Sequence, residues 1–250
     1  MTAALLRIER HPIKSHGRET LAAIDVTAGQ MLPWDRHWAV LHEEARADGR
    51  EWAPCMNFSR GAKAPGLMAI DAELDESNRR ITLSHPDREA MTFHPDSLEE
   101  LPAFLEWVRP LMPADRAASS RIVSAGTRGM SDTDYPSISL LNLASIRALS
   151  DRLGQRLDPR RFRGNLWVDG LAPWEEFGWI DETIVIGDVR FRVAERIERC
   201  LATTANPDTG RRDADTLGGL ETGWGHRDMG VYLLALDDGR IEAGQPVRLA

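Results

Sequence analysis

Cysteine is scarce: Cys55 and Cys200 are the only two in 250 residues. Two thiols cannot make a disulfide framework, and free thiols are the default in a reducing compartment, so the cytoplasm is the expected location. Long apolar runs are missing too. No stretch reaches the roughly 18 apolar residues that span a bilayer. Near the amino terminus only Ala3 to Leu6 is apolar, too short for a signal-peptide core. Basic residues do not predominate, and the net charge is −8. Such a chain lacks the basic face from which binders of nucleic acid or anionic membrane draw most of their affinity, so neither partner is expected. A local basic pocket for a small anion is compatible with that charge. No C-x-x-C, zincin-type histidine pair, G-x-x-x-x-G-K-[ST] loop or G-x-S-x-G elbow occurs. A zinc or iron–sulfur site built by the chain alone is therefore disfavoured, and a metal would bring most of its ligands with a cofactor.

What is present reads as an ordinary globular chain of mainly β type with some α (α+β). At 42% hydrophobic and 28% charged residues it can bury a core, and its length suits one large or two small domains. Short apolar runs broken by turn residues predict strands at Leu5–Arg10, Leu21–Val26, His37–His42, Leu67–Leu74, Arg80–Ser84 and Met91–Phe93. Ser97 to Met112 has helical spacing of Leu98, Leu101, Leu105 and Val108, ended by Pro110 and Pro113. The polar stretch from Ala114 to Asp134 reads as a loop or extended link. Beyond it come a strand at Ile138–Leu141, a helix at Leu143–Leu153 between Asn142 and Gly154, and a strand at Asn165–Val168. A hairpin turns at Gly187-Asp188, Ile197–Thr203 runs into a dense turn, and strands at Gly230–Leu236 and Val247–Leu249 close the chain. The expected division is a small β-barrel-like domain over 1–95, a connecting helix and linker over 96–119, and a second β-barrel domain over 120–250.

Four segments carry candidate chemistry: His11-Pro12-Ile13-Lys14-Ser15 with Trp34-Asp35-Arg36-His37-Trp38; Asp134-Tyr135-Pro136; Arg161-Phe162-Arg163-Gly164-Asn165; and Glu198-Arg199-Cys200, which leads to Asn206-Pro207-Asp208-Thr209-Gly210. A cationic neighbour favours the thiolate, the form that attacks electrophiles and binds metals. Arg196 and Arg199 are near Cys200 in sequence, yet in an extended strand Arg199 would face away from it. Read alone, Cys200 fits a small packed hydrophobe as well as a reactive thiol. Lys14, Arg36 and Arg163 individually fit solvated charge, although an arginine beside an amide, as in Arg163 and Asn165, can form an anion site.

Taken together these segments resemble the MOSC family, which includes molybdenum-cofactor sulfurase C-termini and the mitochondrial amidoxime-reducing components with their bacterial relatives. Arg163-Gly164-Asn165-Leu166-Trp167-Val168, Pro173-Trp174-Glu175-Glu176, Ile186-Gly187, Arg199-Cys200 and Asn206-Pro207-Asp208-Thr209-Gly210 carry the likeness, and Gly230-Val231-Tyr232 extends it. The first part, with its H-P-I-K-S and W-D-R-H-W runs, resembles the N-terminal β-barrel domain that accompanies MOSC. The resemblance implies a molybdenum cofactor (molybdenum–molybdopterin) with Cys200 as the sulfur ligand of the metal. It implies that Arg199 lines the cofactor and that Arg163 and Asn165 hold the pterin. Lys14, Ser15 and Arg36 would lie near its anionic end, with Asp134 and Tyr135 also contributing. There are departures: Glu198 stands where relatives often have Ser, and Gly164 where they have Pro.

The implied activity is reduction of small N-oxygenated compounds. No cysteine cluster for a ferredoxin domain is present, so electrons are expected from a separate donor protein, ferredoxin-like or cytochrome-b5-like with its reductase. The alternatives are a sulfur carrier using a Cys200 persulfide and a non-catalytic molybdopterin-binding protein.

Overall fold

The computed structural model describes residues 3–250. In chain order the first half comprises β1 (Ala3–Arg10), β2 (Glu19–Leu21), β3 (Ala23–Val26), β4 (Trp38–His42), β5 (Asp71–Asp75), β6 (Arg80–His85), β7 (Arg88–Phe93) and α1 (Leu101–Val108), of which β4 to β7 and α1 form the first lobe. There follow β8 (Ser119–Ser124), β9 (Ile138–Asn142), α2 (Leu143–Leu153), β10 (Leu166–Asp169), β11 (Thr183–Ile186) and β12 (Val189–Glu198). Then come α3 (Thr216–Trp224), β13 (Asp228–Ala235), β14 (Gly239–Glu242) and β15 (Pro246–Leu249).

Among the described residues seven strands close a barrel in the order β10-β9-β13-β12-β11-β15-β1, with β1 pairing back onto β10 and β2 added beside β1. Closure is needed because a seven-stranded ribbon would otherwise leave two unpaired edges. Alternation supplies the core: β12 buries Val189, Phe191 and Val193 and exposes Arg190 and Arg192 between them. With Leu5, Ile8, Leu140, Leu166, Val231 and Leu233 these fill the barrel. Each such side chain contributes roughly 1.5–3 kcal/mol on burial. A second core, around Trp38, Leu67, Ile81, Leu83, Phe93 and Phe104, lies under β4 to β7 and α1. Among the described residues no helix is long and apolar enough to cross a membrane.

Several elements form as their sequences predict. The Asn142 side chain accepts a hydrogen bond from the Ala144 amide at the start of α2, and Gly154 ends that helix in the left-handed conformation. The turn at Gly187-Asp188 joins β11 to β12, with Ile186 opposite Val189. Others differ. Leu67–Leu74 is not one strand: Pro65 starts a 3-10 turn through Ala69, and the strand begins at Asp71. Leu21–Val26 divides between two sheets, since β2 pairs with β1 and β3 with β14. The link at Ala114–Asp134 contains β8, which pairs with β4 from Trp38 to His42. The strand through Ile197 stops at Glu198, and Leu201–Thr204 is a 3-10 turn.

The division into 1–95, 96–119 and 120–250 is crossed by strand pairing. β1 belongs to the barrel of the second half, against β10 and β15, and β3 pairs with β14. The chain leaves the barrel at Arg10 and enters the other lobe through His11 to Ser15, so that this segment lies at the junction.

Candidate functional site

At that junction lies a cavity of about 270 Å³. Its lining includes Lys14, Ser15, Arg36, Arg163, Arg199 and Cys200, six residues from four separate stretches of sequence. Three of them, Ser15, Arg36 and Arg163, have positive φ angles of 65°, 49° and 48°. A side-chain-bearing residue in that region costs of order 1–3 kcal/mol, and such strain collects where a site demands it.

Each cation is held differently. The Lys14 ammonium donates to the Met130 carbonyl at 2.8 Å, to that of Ser131 at 3.3 Å and to the Asp132 carboxylate. Desolvation opposes the Asp132 charge, but Lys14 and Arg36 hold its carboxyl down to about 2. The Arg36 guanidinium donates through Nη1 to Asp35 Oδ2 and through Nη2 to the Arg163 carbonyl at 3.0 Å. Burial works against its charge, and the Asp35 and Asp132 carboxylates outweigh that and raise its pKa. Arg161 pairs with Asp213 at 2.6 Å.

Arg163 and Arg199 have no carboxylate partner among the described residues. Arg163 donates through Nη2 to the Gly17 carbonyl at 3.0 Å, while its Nη1 is buried with no partner. Arg199 donates only to carbonyls, those of Met229 and Phe162. Burial, with Arg36 and Arg18 nearby, pulls Arg163 down to about 9. Burial likewise pulls Arg199 down to about 10. Both guanidiniums stay protonated at neutral pH, so the shifts register two charges that the protein itself solvates poorly.

Cys200 follows Arg199 immediately, exposed at the head of the Leu201–Thr204 turn. Behind that turn the Asn206–Gly210 loop closes on itself: Asn206 Oδ1 accepts from the Asp208 amide at 2.8 Å, and the Gly210 amide donates to the Asn206 carbonyl at 2.8 Å. Gly210 has φ +65°, and a Cβ there would fall 2.7 Å from the Gly66 Cα, so only glycine lets the loop seat against the first lobe. Arg18 adds a hydrogen bond to the Pro207 carbonyl at 3.2 Å. The loop thus fastens the Cys200 turn to the lobe that supplies Lys14 and Arg36.

Asn165 stands behind the cavity wall, buried. Its Oδ1 accepts from the Ser139 amide at 3.1 Å and hydroxyl at 2.8 Å, and its Nδ2 donates to the Glu9 carbonyl at 3.2 Å. It ties β1 and β9 to the start of β10 and accepts from Arg36 Nη1 at 3.4 Å. It therefore helps aim Arg36. Asp134 and Tyr135 lie outside the cavity: Asp134 is exposed and Tyr135 donates its hydroxyl hydrogen to Glu195. Asp132, two residues earlier, occupies the lining instead, because the Lys14 ammonium captures the backbone and carboxylate at 130–132. Sequence reasoning missed Asp132, Tyr232, Cys55 and Arg60, which also line the cavity. The Gly230-Val231-Tyr232 match was the available signal for Tyr232; nothing in the sequence marked Cys55 or Arg60. Burial raises the Tyr232 pKa, which keeps its hydroxyl neutral.

Two buried histidines brace the junction. His16 Nδ1 donates to the Lys14 carbonyl at 2.8 Å, and His11 Nδ1 lies 3.4 Å from Asp35 Oδ1. Burial lowers His16 to about 4 and His11 to about 3. The unfolded chain protonates both near 6.5, so their stabilisation is complete above that pH and is lost as pH falls toward 4 and then 3. The expected slope is about 1.4 kcal/mol per pH unit for each histidine. Urea unfolding between pH 7.5 and 5 measures it, and a flat profile across that window would contradict the neutral buried assignment.

Among the described residues no group of three or more His, Cys, Asp or Glu is placed to hold a metal ion. Mouse mitochondrial amidoxime-reducing component 1 is 31% identical over 154 residues, 55% of this chain and 44% of its own length. The molybdenum cofactor sulfurase of Anopheles gambiae is 32% identical over 123 residues, 44% of this chain and 16% of its own. The chain therefore spans less than half the length of these relatives. Among solved structures, the YUAD protein from Bacillus subtilis aligns with 99% of this chain and 94% of its own at 11% identity and a TM-score of 0.45. The MOSC domain matches residues 130–248 and the MOSC N-terminal beta barrel domain matches residues 2–104. The chain belongs to the MOSC-domain proteins that carry this N-terminal barrel.

Proposed function

We propose that this protein binds the molybdenum cofactor at the junction of its lobes and reduces N-oxygenated compounds with electrons from a separate protein. The observation that carries the reading is the pair Arg163 and Arg199. Two half-buried cations without carboxylate partners among the described residues, one with a buried, orphaned Nη1, stand beside an exposed cysteine. An anionic, sulfur-accepting group satisfies all three, and a phosphate-bearing pterin that brings its own metal is such a group. Relatives that are named amidoxime-reducing components support the choice of reaction.

In this reading Lys14, Ser15 and Arg36 hold the anionic end, Arg163 and Arg199 neutralise charge along the pterin, and Cys200 gives its thiolate to the metal. When bound, the cofactor would supply the oxygen-atom chemistry and relay the electrons that the separate protein delivers. The protein positions and desolvates. Taking oxygen from nitrogen as water consumes protons, and Tyr232 is a neutral hydroxyl donor within the cavity lining. Production in a molybdopterin-competent host is expected to yield about one molybdenum and one pterin per chain, matching the single thiolate ligand. Reduced dye should then drive reduction of benzamidoxime. Well-folded protein without molybdenum, its Cys200 unmodified, would overturn the proposal.

The sulfurase relatives favour one second reading, in which the exposed Cys200 carries a persulfide. Intact mass measurement showing one added sulfur on Cys200, without molybdenum, supports that reading over the first.

A further inference from the structure

We propose that Arg60 makes this site selective for substrates that carry a carboxylate or similar anion on an apolar body, alongside their reducible N–O group. The proposal rests on the reductase reading above. The Arg60 segment is fastened to the cysteine. Arg212 donates through Nη2 to the Ala62 carbonyl at 2.9 Å, and through Nη1 to the Leu201 carbonyl and to Thr204 Oγ1. A Cβ at Gly61 would lie 3.6 Å from that of Ala202, two residues beyond Cys200. Arg60, Gly61 and Ala62 therefore form a wall packed on the turn that begins at Cys200.

Among the described residues the charge of Arg60 has no carboxylate partner. Lys14, Arg36 and Arg161 have carboxylate partners. Arg163 and Arg199 are anchored on carbonyls within the stretches assigned to the cofactor. Arg60 has neither among the described residues. Its single side-chain hydrogen bond runs from Nη1 to Cys55 Sγ at 2.9 Å. That bond holds one edge of the guanidinium and leaves the remaining donors for a ligand. Two parallel N–H bonds to a carboxylate are the geometry this group favours.

The rest of the wall is apolar or small. Ala62, Met68, Phe162, Ile197 and Ala202 line the same cavity, and any side chain at Gly61 would meet Met68 Sδ at 2.4 Å. The acids of the lining, Asp132 and Glu198, repel an anion from their own positions, which directs it to Arg60. A ligand with its N–O end toward Cys200, an apolar body along Met68 and Ala62, and an anion on Arg60 fits this arrangement.

The test compares 4-carboxybenzamidoxime with benzamidoxime on the molybdenum-loaded protein, and titrates the corresponding products, 4-amidinobenzoate and benzamidine, by calorimetry. Wild type is expected to prefer the carboxylate in both assays, with the preference shrinking as salt rises. Arg60→Gln should reduce the preference about ten-fold, largely through KM, and Arg60→Lys should restore part of it. Molybdenum and pterin per chain should match wild type in both variants, and thermal unfolding verifies their fold. Wild type without a carboxylate preference would overturn the proposal. So would an Arg60→Gln variant that keeps the preference, or one that loses pterin and so places Arg60 on the cofactor instead. Failure of the reductase reading is distinguishable: neither amidoxime would be reduced, while the product titrations still measure what Arg60 binds.

Discussion

Cys200→Ala, purified from a molybdopterin-competent host, is expected to lose dye-driven benzamidoxime reduction by more than about 100-fold, beyond the loss typical of residues that only support a metal ligand. The fold should persist. The Cys200 side chain is exposed and accepts no hydrogen bond among the described residues, and its backbone carbonyl, which accepts from Thr203 Oγ1 at 3.1 Å, is retained. Exposed substitutions of that kind stay within about 0.5 kcal/mol of wild type. Pterin should remain in part, since Lys14, Arg36, Arg163 and Arg199 are untouched. Three measurements on one sample separate the roles: turnover, molybdenum per chain and unfolding midpoint. Full turnover in Cys200→Ala would remove the thiolate from the mechanism, and collapse of the midpoint would make its role structural.

Arg163→Met is expected to act in opposite directions on the two forms of the protein. In the cofactor-free chain Arg163 is half-buried, and among the described residues its guanidinium has a single carbonyl partner while its buried Nη1 has none. An apolar side chain of similar length avoids that desolvation; replacing a buried ion pair in this way is often neutral or stabilising by about 1–4 kcal/mol, and a single half-buried charge stands in the lower half of that range. The lost bond to the Gly17 carbonyl takes back about 1 kcal/mol of it. Urea unfolding of the cofactor-free variant should therefore show a gain on the order of 1 kcal/mol. Cofactor retention should fall about ten-fold or more, because the anion loses a desolvated partner. A variant that is less stable without cofactor and still retains it normally would show that Arg163 serves the fold rather than the anion.

The sequence and the structure agree most where local chemistry decides the outcome. Asn142 and Gly154 bound α2 through a cap at each end, and Gly187-Asp188 turns the β11–β12 hairpin. They part where partners lie far along the chain. β8 was hidden in a polar stretch because its strand character comes from pairing with β4, some 80 residues away. Helix α3 was missed because Gly218 and Gly219 depress its intrinsic helix preference. It forms with Asp215 accepting from the Gly218 amide and Gly225 in the left-handed conformation at its end. In the site, Lys14, Ser15, Arg36, Arg163, Arg199 and Cys200 were legible as types of residue in a family pattern, and folding collects them around one cavity. The acid was misplaced by two positions, at Asp134 rather than Asp132, because only the reach of the Lys14 ammonium distinguishes them. Arg60 was illegible, since its significance depends on Arg212 clamping two loops about 140 residues apart.

β1 precedes its barrel partners in the chain and is a stave the barrel cannot close without. Its neighbours, β10 and β15, begin at Leu166 and Pro246. During synthesis β2 is at hand early, but the barrel partners of β1 are complete only once Leu249 has emerged. The segment β1 waits with is His11 to Ser15, which carries Lys14 and Ser15 to the cavity. Barrel completion and assembly of the anion-binding cradle are therefore one event in time, and a nascent chain offers no half-built cradle to a cofactor. A fragment cut to begin after Ser15 would present bare strand edges at β10 and β15 and lack Lys14 and Ser15, so aggregation is its expected fate.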